Sequence, residues 1–148
     1  MTKPRWEPFQ NVKARKPTVK KSLIVRKCPT EQNEQFVLVH WLRKMGIRHH
    51  HSPNGGKRDL IEAAKFKRLG CSRGFPDLII PYKNDSKGYA SLYIELKRVR
   101  GGSVSTEQKE WLEWLNGHGQ LAVVCKGAEE AKKVIKEYFS GSDEIHVL

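Results

Sequence analysis

Three things are scarce in this sequence. Cysteine occurs only at Cys28, Cys71 and Cys125, far apart and with no CxxC pair. That excludes a disulfide framework and a cysteine-built zinc site, and it fits a reducing cytoplasm. Long apolar runs are missing too. None approaches the roughly 18 residues of a membrane span, and the N-terminus shows no apolar segment of a secretion signal, so no membrane role is expected. Acidic charge is the third shortage: 16 Asp+Glu face 28 Lys+Arg, a formal net charge of +12.

What remains is a chain of 148 residues, 38% hydrophobic, about one domain's worth and able to bury a core without staples. Its basic excess is uneven. Residues 1–28 hold nine basic residues, among them Lys13, Arg15, Lys16, Lys20 and Lys21, against the single acid Glu7. With Pro4, Pro8 and Pro17 and no sustained apolar periodicity, this stretch reads as an extended, flexible basic arm ahead of one domain over 29–148. A basic arm on a moderately basic body points to a polyphosphate partner, nucleic acid above all.

Within the body, Thr30 is a good N-cap, and Leu38, Trp41, Leu42 and Met45 follow at helical spacing up to Gly46. Ile47–His51 reads as a short strand and Arg58–Leu69 as a second helix. Phe75–Tyr82 and Ala90–Val99 read as strands joined by a hairpin turn at 84–88. Ser105 opens a third helix, Leu121–Cys125 is a buried strand, and Ala128–Phe139 is a last amphipathic helix. The order predicts an α/β fold: a mixed sheet flanked by helices, with one antiparallel hairpin inside it.

The chemistry concentrates in that hairpin. On the returning strand Leu92, Ile94 and Leu96 alternate inward, leaving Tyr93, Glu95 and Lys97 on the other face. Pro76 has no N–H and suits a strand's first residue, which sets Asp77 at the strand's start. The pairing brings Asp77 beside Glu95, where two carboxylates repel unless a positive charge separates them. Mg²⁺ or Mn²⁺ would do so, taking oxygens from Asp77, Glu95 and the backbone carbonyl of Leu96. Lys97 would then act on a metal-bound water. Glu-x-Lys alone reads more simply as a solvated surface pair; Pro-Asp before it and the clean alternation around it turn the balance.

Pro53-Asn54-Gly55-Gly56, Gly74-Phe75-Pro76-Asp77-Leu78, Ile94-Glu95-Leu96-Lys97 and Ser105 with Gln108, in this order, resemble the VRR-NUC family of the PD-(D/E)xK nuclease superfamily. The resemblance spans about Thr30 to Lys126. It implies a restriction-endonuclease-like αβββαβ core and a metal-dependent DNA nuclease, closest to stand-alone phage and bacterial homodimers that resolve Holliday junctions in DNA repair.

It also implies roles for further residues. Glu31 matches the first-helix catalytic acid, with Glu34 as the alternative, and Gln108 matches the glutamine after the lysine motif, although Ser105-x-x-Gln108 is also a capping box. His51 and Asn54 resemble the family's loop, where they would touch a phosphate or line the active-site cleft, and Lys57, Arg58, Arg73, Arg98 and Arg100 are candidate DNA contacts. His49, His50 and His51 point in different directions and make a poor zinc set. Gly55-Gly56 lacks the Gly-Lys-Ser/Thr ending of a P-loop, so no nucleotide cofactor is expected. Trp114, Phe66 and Phe139 are apolar side chains available for a dimer interface. A non-catalytic nucleic-acid-binding module and a sequence-specific restriction or nicking enzyme are the rival readings.

Overall fold

The computed structural model describes residues 28–52 and 60–141. The arm lysines and arginine, Asn54, Lys57 and Arg58 lie outside the described residues. The elements follow the expected order: α1 (Glu31–Lys44), β1 (His50–His51), α2 (Leu60–Arg68), β2 (Leu78–Ile80), β3 (Leu92–Lys97), α3 (Thr106–Gly117), β4 (Leu121–Lys126) and α4 (Ala128–Phe139). The four strands form one sheet in sequence order. β1–β2 and β2–β3 are antiparallel, whereas β3–β4 is parallel and is connected through α3. Among the described residues no helix is long and apolar enough to cross a membrane.

Two strands are shorter than their apolar runs. β2 is trimmed to three residues because Pro76 and Pro81 bracket it and neither offers an N–H to a ladder. β1 keeps only two residues because Ile47 is spent on the core, where its N–H also closes the end of α1 on the Leu42 carbonyl at 2.9 Å.

The inward alternation of β3 buries Leu92, Ile94 and Leu96, which join Leu38 and Leu42 of α1 and Ala131, Ile135 and Tyr138 of α4 in one core. α1 and α4 also pack on each other, while α3 covers β4. Phe139 is not spare surface. It is buried, edge-on to Tyr82 with ring centroids 5.3 Å apart, because the helix stripe widens there to two adjacent aromatics. Phe66 is half-buried, whereas Trp114, Leu60 and Ile61 are exposed.

α4 begins at Gly127, which has no side chain to cap the helix's free N–H groups. Glu34 reaches across from α1 and its Oε2 accepts the Ala128 N–H at 2.7 Å. A Cβ on Gly127 would stand 2.7 Å from Val99 Cγ2 and 3.3 Å from Glu34 Oε2, so the glycine is what lets the two helices meet this way. Glu34→Ala should therefore lower stability by about 1 kcal/mol, as loss of an N-cap does. Chemical denaturation measures it, and an unchanged midpoint would show that the contact carries no stability.

Candidate active site

β2 and β3 pair Leu78 with Ile94, so Asp77, one step before the ladder, comes level with Glu95. The Asp77 carboxylate accepts the Leu96 N–H at its Oδ2, 3.0 Å away. Glu95 and Lys97 are only 1% and 7% exposed, which rules out the solvated surface pair. Lys97 Nζ lies 2.7 Å from Glu95 Oε1, and Gln108 Nε2 donates to that same oxygen. The other oxygen, Oε2, is buried with no hydrogen-bond partner.

Burial, reinforced by the neighbouring Asp77 charge, pushes the Glu95 carboxyl up to about 7 despite the bond and charge of Lys97. Asp77 is raised as well, chiefly by burial, against the pull of the Leu96 N–H. Two carboxyls therefore share one buried ammonium. Positive charge is short at this spot, and an orphaned carboxylate oxygen marks where it is missing.

Glu31, the first residue of α1, lines a cleft of about 440 Å³ together with Thr30, Gln32, Gln35, His51, Asp77 and Leu96. It also borders a second recess that contains Lys97 and Arg98. Its charge adds to the upward push on both Asp77 and Glu95. Glu34, three residues on, bonds the start of α4 instead, so of these two acids it is Glu31 that lines the cleft.

Gln108 does two jobs. Its N–H reaches Ser105 Oγ at 3.2 Å and its Oε1 accepts the Ser105 N–H at 2.8 Å, completing the capping box. The rest of its amide holds Glu95. Gly74 makes this reach possible: at φ +81°, its missing Cβ would lie 2.6 Å from the Glu107 carbonyl carbon and 2.8 Å from Gln108 N. The strand entry Phe75-Pro76-Asp77 can thus press against the first turn of α3. The sequence shows Gly74 only as part of a motif; nothing in one sequence reveals the approach it permits.

The remaining candidates scatter. Arg98 is held in its own turn by the Gly101 carbonyl at 3.2 Å, and Arg100 is exposed. Arg73 lies outside the cleft, on a different face with Glu107, Trp111 and Trp114. His49 turns back to the Ile47 carbonyl, whereas His51 faces the cleft. Among the described residues no three His, Cys, Asp or Glu side chains converge closely enough to cage a metal. What the site offers is two carboxylates plus backbone oxygen, a donor set as sparse as hard divalent cations ordinarily accept.

The sequence profile of the VRR-NUC domain matches residues 16–129. The chain belongs to the VRR-NUC family. A solved structure of a VRR_NUC domain protein is similar throughout: it is 34% identical, with a TM-score of 0.65 over 77% of this chain and 91% of that one. No curated protein sequence matches. The VRR-NUC match begins at residue 16, so it takes in the later part of the basic stretch that the motifs alone leave outside the family. VRR-NUC is a nuclease-like family, which implies DNA as partner and, in general terms, a divalent metal.

The raised Glu95 carboxyl has a consequence for stability. A folded value of about 7 against an ordinary 4.5 means the fold holds this proton more tightly than the unfolded chain does. The gain is complete below about pH 4.5 and is lost as pH rises through about 7. The melting temperature of metal-free protein should fall across that window, Glu95→Gln should flatten the fall, and Mg²⁺ should restore stability on the alkaline side. An equal fall in Glu95→Gln would assign the pH dependence to other groups.

Proposed function

We propose that this VRR-NUC protein is a Mg²⁺- or Mn²⁺-dependent endonuclease that hydrolyses DNA phosphodiesters at four-way junctions or other branches. The buried, unpartnered Oε2 of Glu95 beside Asp77 carries the reading. A module that only binds nucleic acid gains nothing from desolvated carboxylates facing anionic phosphate.

Asp77 and Glu95, with the Leu96 carbonyl, are the residues that would hold the cation. A cation held there would supply Lewis-acid polarisation of the scissile phosphate and would make an attacking water more nucleophilic. Lys97 directs its ammonium to the same place, where it orients the attacking water and offsets charge building on the phosphate. Gln108 fixes the Glu95 carboxylate, and Glu31 stands at the cleft wall to accept a hydrogen bond from that water. Arg98, Arg100, Lys57, Arg58 and the basic arm serve affinity by neutralising phosphates, and Asn54 serves it by hydrogen bonding.

Asp77→Asn, Glu95→Gln and Lys97→Ala should each abolish cleavage while DNA affinity stays largely intact, because chemistry and phosphate neutralisation rest on different residues. Cleavage assays beside filter binding measure both. Retained Mg²⁺-dependent cutting by Lys97→Ala would remove its role.

Cutting a junction on two strands needs two sites, and each chain carries one, so a symmetric homodimer completes the proposal. Exposed Trp114 on α3 and Leu60 and Ile61 on α2 provide apolar surface for it. Light scattering should give about twice the 17.0 kDa chain mass. On a panel of four-way, flap, duplex and single-stranded DNA, Mg²⁺ or Mn²⁺ should support paired cuts in the junction, and EDTA should stop them. A single-chain mass contradicts the dimer, and equal cutting of plain duplex favours a restriction or nicking enzyme.

A further inference from the structure

The residue that ties β1 to the site is His51. Its Nδ1 lies 2.8 Å from the backbone carbonyl oxygen of Asp77, and the Ser52 N–H reaches the same oxygen at 2.8 Å. A carbonyl only accepts, so in the neutral imidazole the proton sits on Nδ1, and Nε2 is left with a lone pair. In that state the ring has no N–H to offer a phosphate oxygen. Its donor is already spent on the backbone of Asp77.

Both lone pairs of the Asp77 carbonyl are thereby engaged from β1, while its carboxylate is held from β3 by the Leu96 N–H. Gln35, one helical turn after Glu31 on the same face of α1, sets its amide nitrogen 3.3 Å from His51 Nδ1, but with that nitrogen's proton given to the Asp77 carbonyl the two donors form no hydrogen bond. His51 thus ties the end of β1 to the acid just ahead of β2.

We propose that His51 is a positioning residue for Asp77 and not a DNA contact. It fixes the backbone from which the Asp77 carboxylate projects and so governs how well Asp77 and Glu95 grip a divalent cation. This inference rests on the reading of those two acids as metal ligands.

The test titrates the full-length, DNA-free protein with Mn²⁺, followed by electron paramagnetic resonance, and measures kcat and KM on cleavable DNA beside it. His51→Ala should weaken Mn²⁺ binding by ~10–100-fold, the usual cost of removing an outer-shell partner. His51→Asn places an amide N–H where Nδ1–H stood and should recover most of that loss. His51→Gln places its nitrogen at the Nε2 position and should not. KM for DNA should hold while kcat falls at limiting metal.

Recovery by Gln but not Asn, or a raised KM with Mn²⁺ affinity intact, overturns the proposal and makes His51 a phosphate contact. Should His51→Ala fail to fold, the Asn and Gln variants decide alone. Asp77→Asn, titrated in parallel, separates two failures. If it binds Mn²⁺ as the unsubstituted protein does, the metal reading itself falls. If it loses Mn²⁺ and His51→Ala does not, only the role of His51 falls.

Discussion

Two carboxylates brought side by side out of water are the constraint around which this molecule is arranged. Unit charges about 4 Å apart near a protein surface repel by roughly 4 kcal/mol, and a small domain has only about 5–15 kcal/mol of net stability. The chain meets that cost locally. Asp77 accepts the Leu96 N–H, Glu95 takes the Lys97 ammonium and the Gln108 amide on one oxygen, and the other oxygen stays orphaned. Each compensation comes from a residue within the β2–β3 hairpin or from the first turn of the next helix. That leaves the site short of positive charge, and under the proposed function a divalent ion supplies it.

The scaffold serves the pair at some distance as well. α1 sends Glu31 to the cleft and, one turn later, Glu34 to the start of α4, so a single helix both lines the site and fastens the domain's last element. The capping box of α3 holds Gln108 in the rotamer that reaches Glu95, which makes a helix start into a second support for that carboxylate. The absent side chain at Gly74 permits that helix start to approach Asp77's own strand. Stability and site geometry therefore depend on the same few contacts.

Much of this was legible in the sequence because it is local. Period-two alternation in β3, the Thr30 and Ser105 caps and the stripe of α4 each lie within a dozen residues, and the structure has them where the pattern sets them. Asp77 next to Glu95 also follows locally, from a proline that sits just ahead of a strand and a hairpin that must return. What the sequence withheld is long-range. Glu34 looks like any first-turn acid until Gly127, far along the chain, is seen to lack a cap. His51 reads in the sequence as a loop residue near phosphate or cleft, and only the fold sets its Nδ1 2.8 Å from the Asp77 carbonyl. Phe139 looks surplus until Tyr82 is found against it. Strand lengths failed for a plainer reason, since Pro76 and Pro81 stop the ladder inside an apolar run that continues past them.

The most direct measurement is anomalous diffraction from a crystal of the protein grown with Mn²⁺. The account predicts a single strong peak within about 2.1–2.3 Å of a carboxylate oxygen of Asp77 and of Glu95 Oε2, with Lys97 still on Oε1. A Glu95 Oε2 bonded only to water, with Mn²⁺ bound elsewhere on the protein, would contradict it.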